Sequence, residues 1–349
     1  MSTMLAAILR EHGERDAIRL EEIPRPLPGP GEVRLRVQAC ALNWLDVGVR
    51  RGPKFGAIPL PLIGGGDIAA TVDDVGQGVE TFTEGDEVVV YPLITCGHCE
   101  QCRAGEPTTC PEHQIIGEHV HGGLAAYTVV PAANLLPKPP SLSFVEAAAL
   151  PVVGMTAYHM LVHVGQIRVG ETILIMGAGG GVASLGIQLA RLAGARVLAT
   201  TSTAEKAEHA RGLGADAVFN YRDRDWVRQV WEATDGRGVD LVQDNVGAAT
   251  WPAALELLAR NGRLVSCGSL SGARVELEIG QIYHRQLSIL GSNGGTIDGL
   301  ATVLSLAEQD KLRPVVDTVL PLTEIHEGHR LLEEGEHFGK VVIDLSDTA

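Results

Sequence analysis

The chain has 349 residues, a formal net charge of −15, 45% apolar residues and 20% charged residues. This length suggests two domains, and the composition is that of an ordinary soluble globular protein. The acidic balance, without any basic block, argues against nucleic acid or an anionic membrane as a main partner.

The N-terminal residues lack the pattern of a secretory signal, and no apolar run approaches the roughly 20 residues that span a bilayer. We therefore expect a cytoplasmic protein with no membrane partner. In that compartment the six cysteines should serve as thiols or metal ligands rather than in disulfides.

Residues 1–150 are predicted to form a β-rich domain. Short apolar runs separated by proline and glycine indicate strands at 6–10, 18–23, 32–39, 68–75, 87–91 and 122–130. Val33, Leu35 and Val37 alternate with polar residues, so their strand should bury one face. Ser143 and Glu146 have capping-box spacing before a predicted helix that reaches residue 150.

Four cysteines interrupt the β-rich domain with the spacing Cys-x₂-Cys-x₂-Cys-x₇-Cys: Cys96, Cys99, Cys102 and Cys110. Four thiolates in fifteen residues suit one tetrahedral Zn²⁺ and leave no open coordination position, which predicts a structural zinc. An iron–sulfur cluster or an oxidised loop are the alternatives.

A strand–turn–helix pattern at residues 171–193 opens the second domain, 151–295. A β-branched apolar run, 172–176, precedes the glycine-rich turn 177–181, and Val182, Leu185, Leu189 and Leu192 follow at helical spacing. Such a turn lets a backbone approach a pyrophosphate at a helix N-terminus. The predicted phosphate-binding residues are Gly177, Gly179, Gly180, Gly181 and Val182. A tight turn that binds nothing is the alternative.

Strands and helices then alternate, which predicts a doubly wound parallel sheet and an α/β fold class. The predicted strands are 172–176, 196–200, 217–220, 241–244, 264–267 and 287–290. The predicted helices are 184–192, 204–212, 225–234 and 251–258. Residues 296–349 begin with a helix that reaches about residue 310 and should return to complete the first domain.

The end of the second strand of this sheet, residues 200–203, has no carboxylate that would repel a 2′-phosphate. Thr201 and Ser202 lie there, and Lys206 follows on the first turn of the next helix. We therefore expect NADP(H) rather than NAD(H). At the ends of later strands, Asn245, Val246, Gly268 and Ser269 should line the nicotinamide side.

Taken together, these features resemble the medium-chain dehydrogenase/reductase superfamily over essentially the whole chain. The resemblance rests on the four cysteines, the Thr156-Ala-Tyr158 segment, the glycine turn, Leu-Gly-Ala-Asp at 213–216 and Gly-Lys-Val-Val at 339–342. It implies a Rossmann domain beside a GroES-like catalytic domain. It also implies that Ser202, Lys206 and Tyr221 hold a 2′-phosphate and that Lys340 reaches the cofactor. A solvated charge at Lys206, a sheet-edge aromatic at Tyr221 and a surface pair at Lys340 are the alternatives.

The zinc alcohol dehydrogenases of that superfamily place catalytic ligands at positions that match Asn43, Gly66 with Asp67, and Val152. Only Asp67 is a metal ligand by chemistry, and a catalytic zinc needs about three protein ligands. The segment 41–46 instead resembles quinone reductases and zeta-crystallins, which usually lack the cysteine lobe. Neither branch fits completely.

Without a catalytic metal, carbonyl polarisation must come from hydrogen-bond donors. Asn43 and Thr156, expected in the cleft between the domains, are the candidates. His119 and His121 are candidate proton donors, with satisfied loop histidines as the alternative.

Three functions remain open. The first is NADPH-dependent reduction of a small-molecule quinone or α,β-unsaturated carbonyl. The second is a zinc-type alcohol dehydrogenase or carbonyl reductase, and the third is a nucleotide-binding protein without turnover. The resemblance also predicts a homodimer, joined through the edge strand near 287–290.

Overall fold

The computed structural model describes residues 2–52 and 57–348. The chain divides into two compact units. One comprises residues 1–152, 296–310 and 314–349, and the other comprises residues 153–295 and 311–313. The structure thus places residues 311–313, which the sequence assigned to the return segment, with the second unit.

Strands outnumber helices in the first part of the first unit, up to residue 148. Its strands are β1 (Thr3–Leu9), β2 (Ile18–Pro24), β3 (Glu32–Ala41), β4 (Leu62–Ile63), β5 (Asp67–Val75), β6 (Glu87–Val90), β7 (Leu93–Ile94), β8 (Gln114–Ile115), β9 (Tyr127–Pro131) and β10 (Leu135–Pro137). Its helices are α1 (Trp44–Arg51), α2 (Glu100–Arg103) and α3 (Phe144–Ala148), after which α4 (Pro151–Tyr158) leads into the second unit. The predicted capping box of Ser143 and Glu146 is present at the start of α3.

The second unit is built on one parallel sheet. Its strands are β11 (Thr172–Ile175), β12 (Arg196–Thr201), β13 (Ala217–Asn220), β14 (Val239–Asp244), β15 (Leu258–Ser266) and β16 (Ser288–Gly291). Its helices are α5 (Gly181–Leu192), α6 (Ala204–Gly212), α7 (Trp226–Ala233), α8 (Trp251–Leu257) and α9 (Ile279–Arg285), and a π-helix spans His159–Val164. The strand order β13-β12-β11-β14-β15-β16 is that of a Rossmann fold, with its switch point between β11 and β14.

The return segment completes the first unit with α10 (Ile297–Glu308), β17 (Val316–Pro321), α11 (Ile325–Glu334) and β18 (Lys340–Asp344). The larger sheet has the order β10-β6-β5-β3-β18-β17, with β9 also paired to β3. Strand β3 therefore lies between β5, which is near in sequence, and β18, which is not. Val33, Leu35 and Val37 are buried in the core of this unit, as their alternation predicts.

Three findings follow from this fold. The α/β class, with a β-rich first domain and a Rossmann sheet in the second, is confirmed. Helices α1, α2, α9 and α11 are absent from the sequence-based prediction. Among the described residues, no helix combines the length and apolar character needed to cross a membrane.

Candidate functional site

The glycine-rich turn connects β11 to α5 within the second unit. Gly177 has a φ of +72°, a conformation that favours glycine. Its N–H donates to Thr200 Oγ1 at 3.1 Å, and the Ala178 N–H donates to the Thr200 carbonyl at 2.8 Å. The end of β12 therefore anchors the turn. Helix α5 begins at Gly181, so its N-terminal N–H groups follow the turn directly, as binding of a pyrophosphate requires.

Asn245 and Val246 lie beside this turn. The Asn245 side-chain nitrogen is 3.9 Å from the position of a Cβ on Gly180, and Val246 Cγ2 is 3.2 Å from that of Gly177. Asn245 Oδ1 is buried and accepts no hydrogen bond from any described residue. A buried acceptor without a donor is costly. The Asn245 oxygen is therefore suited to accept a hydrogen bond from a bound group with its own donors, such as a nicotinamide dinucleotide.

The residues predicted to select the 2′-phosphate surround the end of β12. The Lys206 side chain passes Gly179, with Cδ and Nζ 3.1 and 3.4 Å from the position of a glycine Cβ. Its backbone N–H is capped by Thr203 Oγ1 at 3.2 Å. The Tyr221 N–H donates to the Thr201 carbonyl at 3.0 Å, and its side chain is 43% exposed. Lys206 thus brings an ammonium to the glycine turn.

Asp244, which ends β14, organises the nicotinamide-side loop and was not singled out from the sequence. Its Oδ1 accepts the N–H groups of Val246 at 3.0 Å and Gly247 at 2.8 Å, and Thr250 Oγ1 donates to its Oδ2. Burial raises the pKa of Asp244. The sequence signal is an acidic residue at the end of a buried strand, just before a predicted binding loop.

The second predicted segment of the nicotinamide side packs on the first. A Cβ on Gly268 would lie 2.6 Å from the Asn245 carbonyl oxygen, and a Cβ on Gly247 would lie 2.8 Å from the Ser269 Cα. Only small residues fit such a close approach of two backbones. The structure therefore brings Asn245, Val246, Gly268 and Ser269 together at one end of the sheet.

The four cysteines converge in the first unit. The Sγ atoms of Cys96, Cys99, Cys102 and Cys110 all lie within 4.8 Å of one another. The Sγ of Cys96 is 3.6 Å from that of Cys110 and 4.0 Å from that of Cys102. Zinc–sulfur bonds of about 2.3 Å give tetrahedral sulfur–sulfur distances in this range. The donor set therefore fits one closed, structural Zn²⁺.

A buried ion pair lies where β5 and β18 flank the end of β3. Ala41 pairs with Asp67 on one side and with Val342 on the other. Lys340 Nζ is 2.8 Å from Asp67 Oδ2, 2.6 Å from Asn43 Oδ1 and 2.7 Å from the Leu42 carbonyl oxygen. The Asn43 amide nitrogen donates to Asp67 Oδ2 at 2.8 Å. We call Asn43, Asp67 and Lys340 the Lys340 cluster.

The cluster does not fit a catalytic metal. Asp67 is fully buried, and its Oδ1 accepts the Val152 N–H at 2.6 Å while its Oδ2 accepts from Asn43 and Lys340. Any side chain on Gly66 would begin 2.9 Å from the Ile116 carbonyl oxygen. One occupied carboxylate beside an ammonium is not a cation site. Because all three donors of Lys340 are used here, reaching a cofactor would require it to break one of these bonds.

Asp46 supports the cluster from α1. Its carboxylate accepts the Asn43 N–H at 2.7 Å and the Gly65 N–H at 2.9 Å. Burial raises the pKa of Asp46 to about 6, against those hydrogen bonds and the charge of Lys340. Asp46 thus fixes the backbone on both sides of the cluster.

The remaining predicted site residues have separate surroundings. The Nδ1 atoms of His119 and His121 accept the N–H groups of Ile115 at 3.1 Å and Ile63 at 3.3 Å. Burial lowers the pKa of His121, which favours its neutral form. Thr156 is buried on α4.

Two family models match the chain. The alcohol dehydrogenase GroES-like domain matches residues 29–140 and the zinc-binding dehydrogenase domain matches residues 181–309. An NAD-dependent alcohol dehydrogenase of Sulfolobus acidocaldarius is 32% identical over 98% of this chain and all of its own length.

Solved structures agree with these matches. The structure of an NAD-dependent alcohol dehydrogenase has a TM-score of 0.94 at 46% identity and covers 98% of this chain and 99% of its own. A crotonyl-CoA carboxylase/reductase in complex with NADP has a TM-score of 0.91 at 27% identity, with coverages of 98% and 95%. The chain belongs to the medium-chain dehydrogenase/reductase superfamily and is an oxidoreductase of that superfamily.

Proposed function

We propose that the protein is an NADPH-dependent reductase that transfers hydride to a quinone or an α,β-unsaturated carbonyl compound without a catalytic metal. The Lys340 cluster carries this proposal, because it leaves Asp67 no free oxygen for a metal. Hydrogen-bond donors must then stabilise the charge that forms on the substrate oxygen. An enolate or phenolate spreads that charge, so it demands less from such donors than an alkoxide does.

The proposed reaction needs a bound cofactor and a donor to the substrate oxygen. When bound, the cofactor supplies the hydride. The glycine turn and the α5 N-terminus hold its pyrophosphate, and Ser202, Lys206 and Tyr221 hold its 2′-phosphate. The Asn43 amide donates to the substrate oxygen. Burial favours the neutral form of His121 by lowering its pKa, which leaves less imidazolium to act as an acid. We propose that water or His119 delivers the final proton.

The test is a metal count combined with an acceptor panel. Chelator-washed protein should keep one zinc per chain and oxidise NADPH with a simple quinone, an enone or crotonyl-CoA. Crotonyl-CoA belongs in the panel because a relative of the same fold is a crotonyl-CoA carboxylase/reductase. Two zinc ions per chain, with activity lost when the looser one is removed, would contradict the proposal.

An alcohol dehydrogenase is the second candidate, and the 46% identity to an NAD-dependent alcohol dehydrogenase favours it. It predicts NAD⁺ reduction by simple alcohols and dependence on a second metal. Running the alcohol panel on the same chelator-washed protein, with and without added Zn²⁺, separates the two candidates.

We also propose a homodimer. Strand β16 is an edge of the six-stranded sheet, and an unpaired edge is a template for a second strand. Pairing of β16 with its copy would cover that edge. Sedimentation should give a dimer mass, and a monomer mass at micromolar concentration would contradict this arrangement.

A further inference from the structure

The Lys340 cluster determines the orientation of the Asn43 amide. An ammonium only donates hydrogen bonds, so the Asn43 atom 2.6 Å from Lys340 Nζ is the oxygen. An ionised carboxylate only accepts, so the atom 2.8 Å from Asp67 Oδ2 is the nitrogen. Both contacts agree, and the amide cannot flip without placing donor against donor and acceptor against acceptor.

This orientation leaves one donor unused. The Asn43 nitrogen carries two hydrogens, one of which goes to Asp67. The other has no acceptor among the described residues, and Asn43 is partly exposed while Asp67 and Lys340 are buried. A polarised N–H at the edge of a buried charged cluster is a ready donor to an anionic oxygen.

We propose that Lys340 is a positioning residue that replaces a catalytic metal: it holds the Asn43 amide so that the free amide hydrogen binds the substrate carbonyl oxygen. This inference rests on the proposed function. The ammonium also withdraws electron density through Asn43 Oδ1, which strengthens the N–H as a donor. The hydrogen bond from Asn43 strengthens as negative charge develops on the substrate oxygen.

The pairing of charges limits what this arrangement can stabilise. The ammonium is neutralised by Asp67, and Asp67 is itself satisfied by Val152. The substrate oxygen thus meets an amide dipole backed by a compensated charge rather than a free cation. This favours the delocalised anions formed from enones and quinones over alkoxides formed from simple ketones.

Lys138 provides a matched control. It is also a buried ammonium of the first unit, 7% exposed against 3% for Lys340. Its Nζ is bound by the carbonyl oxygens of Leu142 at 2.5 Å and Pro139 at 3.2 Å and by Glu87 at 3.0 Å. It therefore has the same chemistry as Lys340, but it contacts no residue of the Lys340 cluster.

The experiment compares Lys340→Met, the double variant Lys340→Met with Asp67→Asn, and Lys138→Met. The measurements are kcat with the best acceptor of the panel, the Kd for NADPH and the melting temperature. Lys340→Met should lower kcat about 100-fold or more and leave the NADPH Kd within about threefold. The double variant removes both charges, so it should recover stability but not kcat. Lys138→Met should lower the melting temperature and keep kcat.

Three results would overturn the inference. Recovery of kcat in the double variant would show that Lys340 only neutralises Asp67. A large rise in the NADPH Kd with unchanged kcat would make Lys340 a cofactor ligand. If wild-type protein reduces no quinone or unsaturated carbonyl at all, the proposed function fails and the inference fails with it. Wild-type activity distinguishes this last case from the first two.

Discussion

Two clusters of the first unit, the four cysteines and the Lys340 cluster, hold groups that are anionic when ionised, and they differ in how that charge is balanced. The four-cysteine cluster brings together four thiols from one short segment, three of them partly exposed and that of Cys110 buried. The Lys340 cluster buries one carboxylate and supplies its cation from a distant strand. The four thiols therefore fit an external metal, while both oxygens of Asp67 already accept hydrogen bonds from the chain. The contrast shows two ways in which one folded unit can accommodate anionic ligand atoms: by offering them to a metal, or by pairing them with a cation of its own chain.

The largest effect should follow from removing a zinc ligand. Cys99→Ser leaves three thiolates, so zinc should be lost from chelator-washed protein and the lobe 96–110 should unfold. Structural zinc contributes on the order of 10 kcal/mol in small zinc domains, although a folded scaffold will reduce this loss. Elemental analysis measures the loss of zinc, and limited proteolysis measures the unfolding of the lobe. Cys267→Ser, which lies outside the cluster, is the control and should keep one zinc per chain. Equal zinc contents in the two variants would contradict the assignment of Cys99 as a zinc ligand.

The second-largest loss of stability should follow from removing the counter-ion of Lys340. Asp67→Ala leaves the Lys340 ammonium buried without its counter-ion, which should destabilise the first unit by about 3–5 kcal/mol. Chemical denaturation measures the loss. Glu11→Ala is the control, since Glu11 and Arg19 form an ion pair of the same unit in which both side chains are exposed, and such a pair should contribute little to stability. An equal loss of unfolding free energy in the two variants would contradict the view that Asp67 is the buried counter-ion of Lys340.

The third effect is a pH dependence from Asp46. Because burial raises its pKa in the folded state to about 6 from 3.8, folding favours the protonated carboxyl. Its contribution to stability is full below about pH 4 and is lost as pH rises through 6. Relative to Asp46→Asn, wild-type protein should therefore lose up to about 3 kcal/mol between pH 4 and pH 7. Parallel stability curves for the two proteins would refute this.

The smallest effect concerns a lysine that is less buried than Lys340. Lys206→Ala should raise KM for NADPH about tenfold, or about 1.4 kcal/mol, with little change for NADH, because only NADPH carries the 2′-phosphate. Steady-state kinetics with both cofactors measures it. Lys311→Ala, an exposed lysine outside the glycine turn, should change neither KM. Equal rises for both cofactors would remove the basis of the NADP(H) preference.

The sequence predicts features whose residues are close together in the chain. The four cysteines and the glycine turn each lie within a single segment, so spacing and periodicity reveal them. The rule that parallel strands end at one edge of a sheet places the later strand ends beside that turn. The partner of Asp67 could not be found this way, because Lys340 is 273 residues away. Helix α1 was missed since its caps, Asn43 and Asp46, sit in a segment interpreted only through its family resemblance.

The long separation between Asp67 and Lys340 has a consequence for synthesis on the ribosome. Strands β3 and β5 leave the ribosome well before β18, so the nascent first unit carries Asp67 without its counter-ion. Burial of that carboxylate is favourable only after Lys340 arrives. The Asn43 amide therefore gains its fixed orientation only once β18 has been added to the sheet.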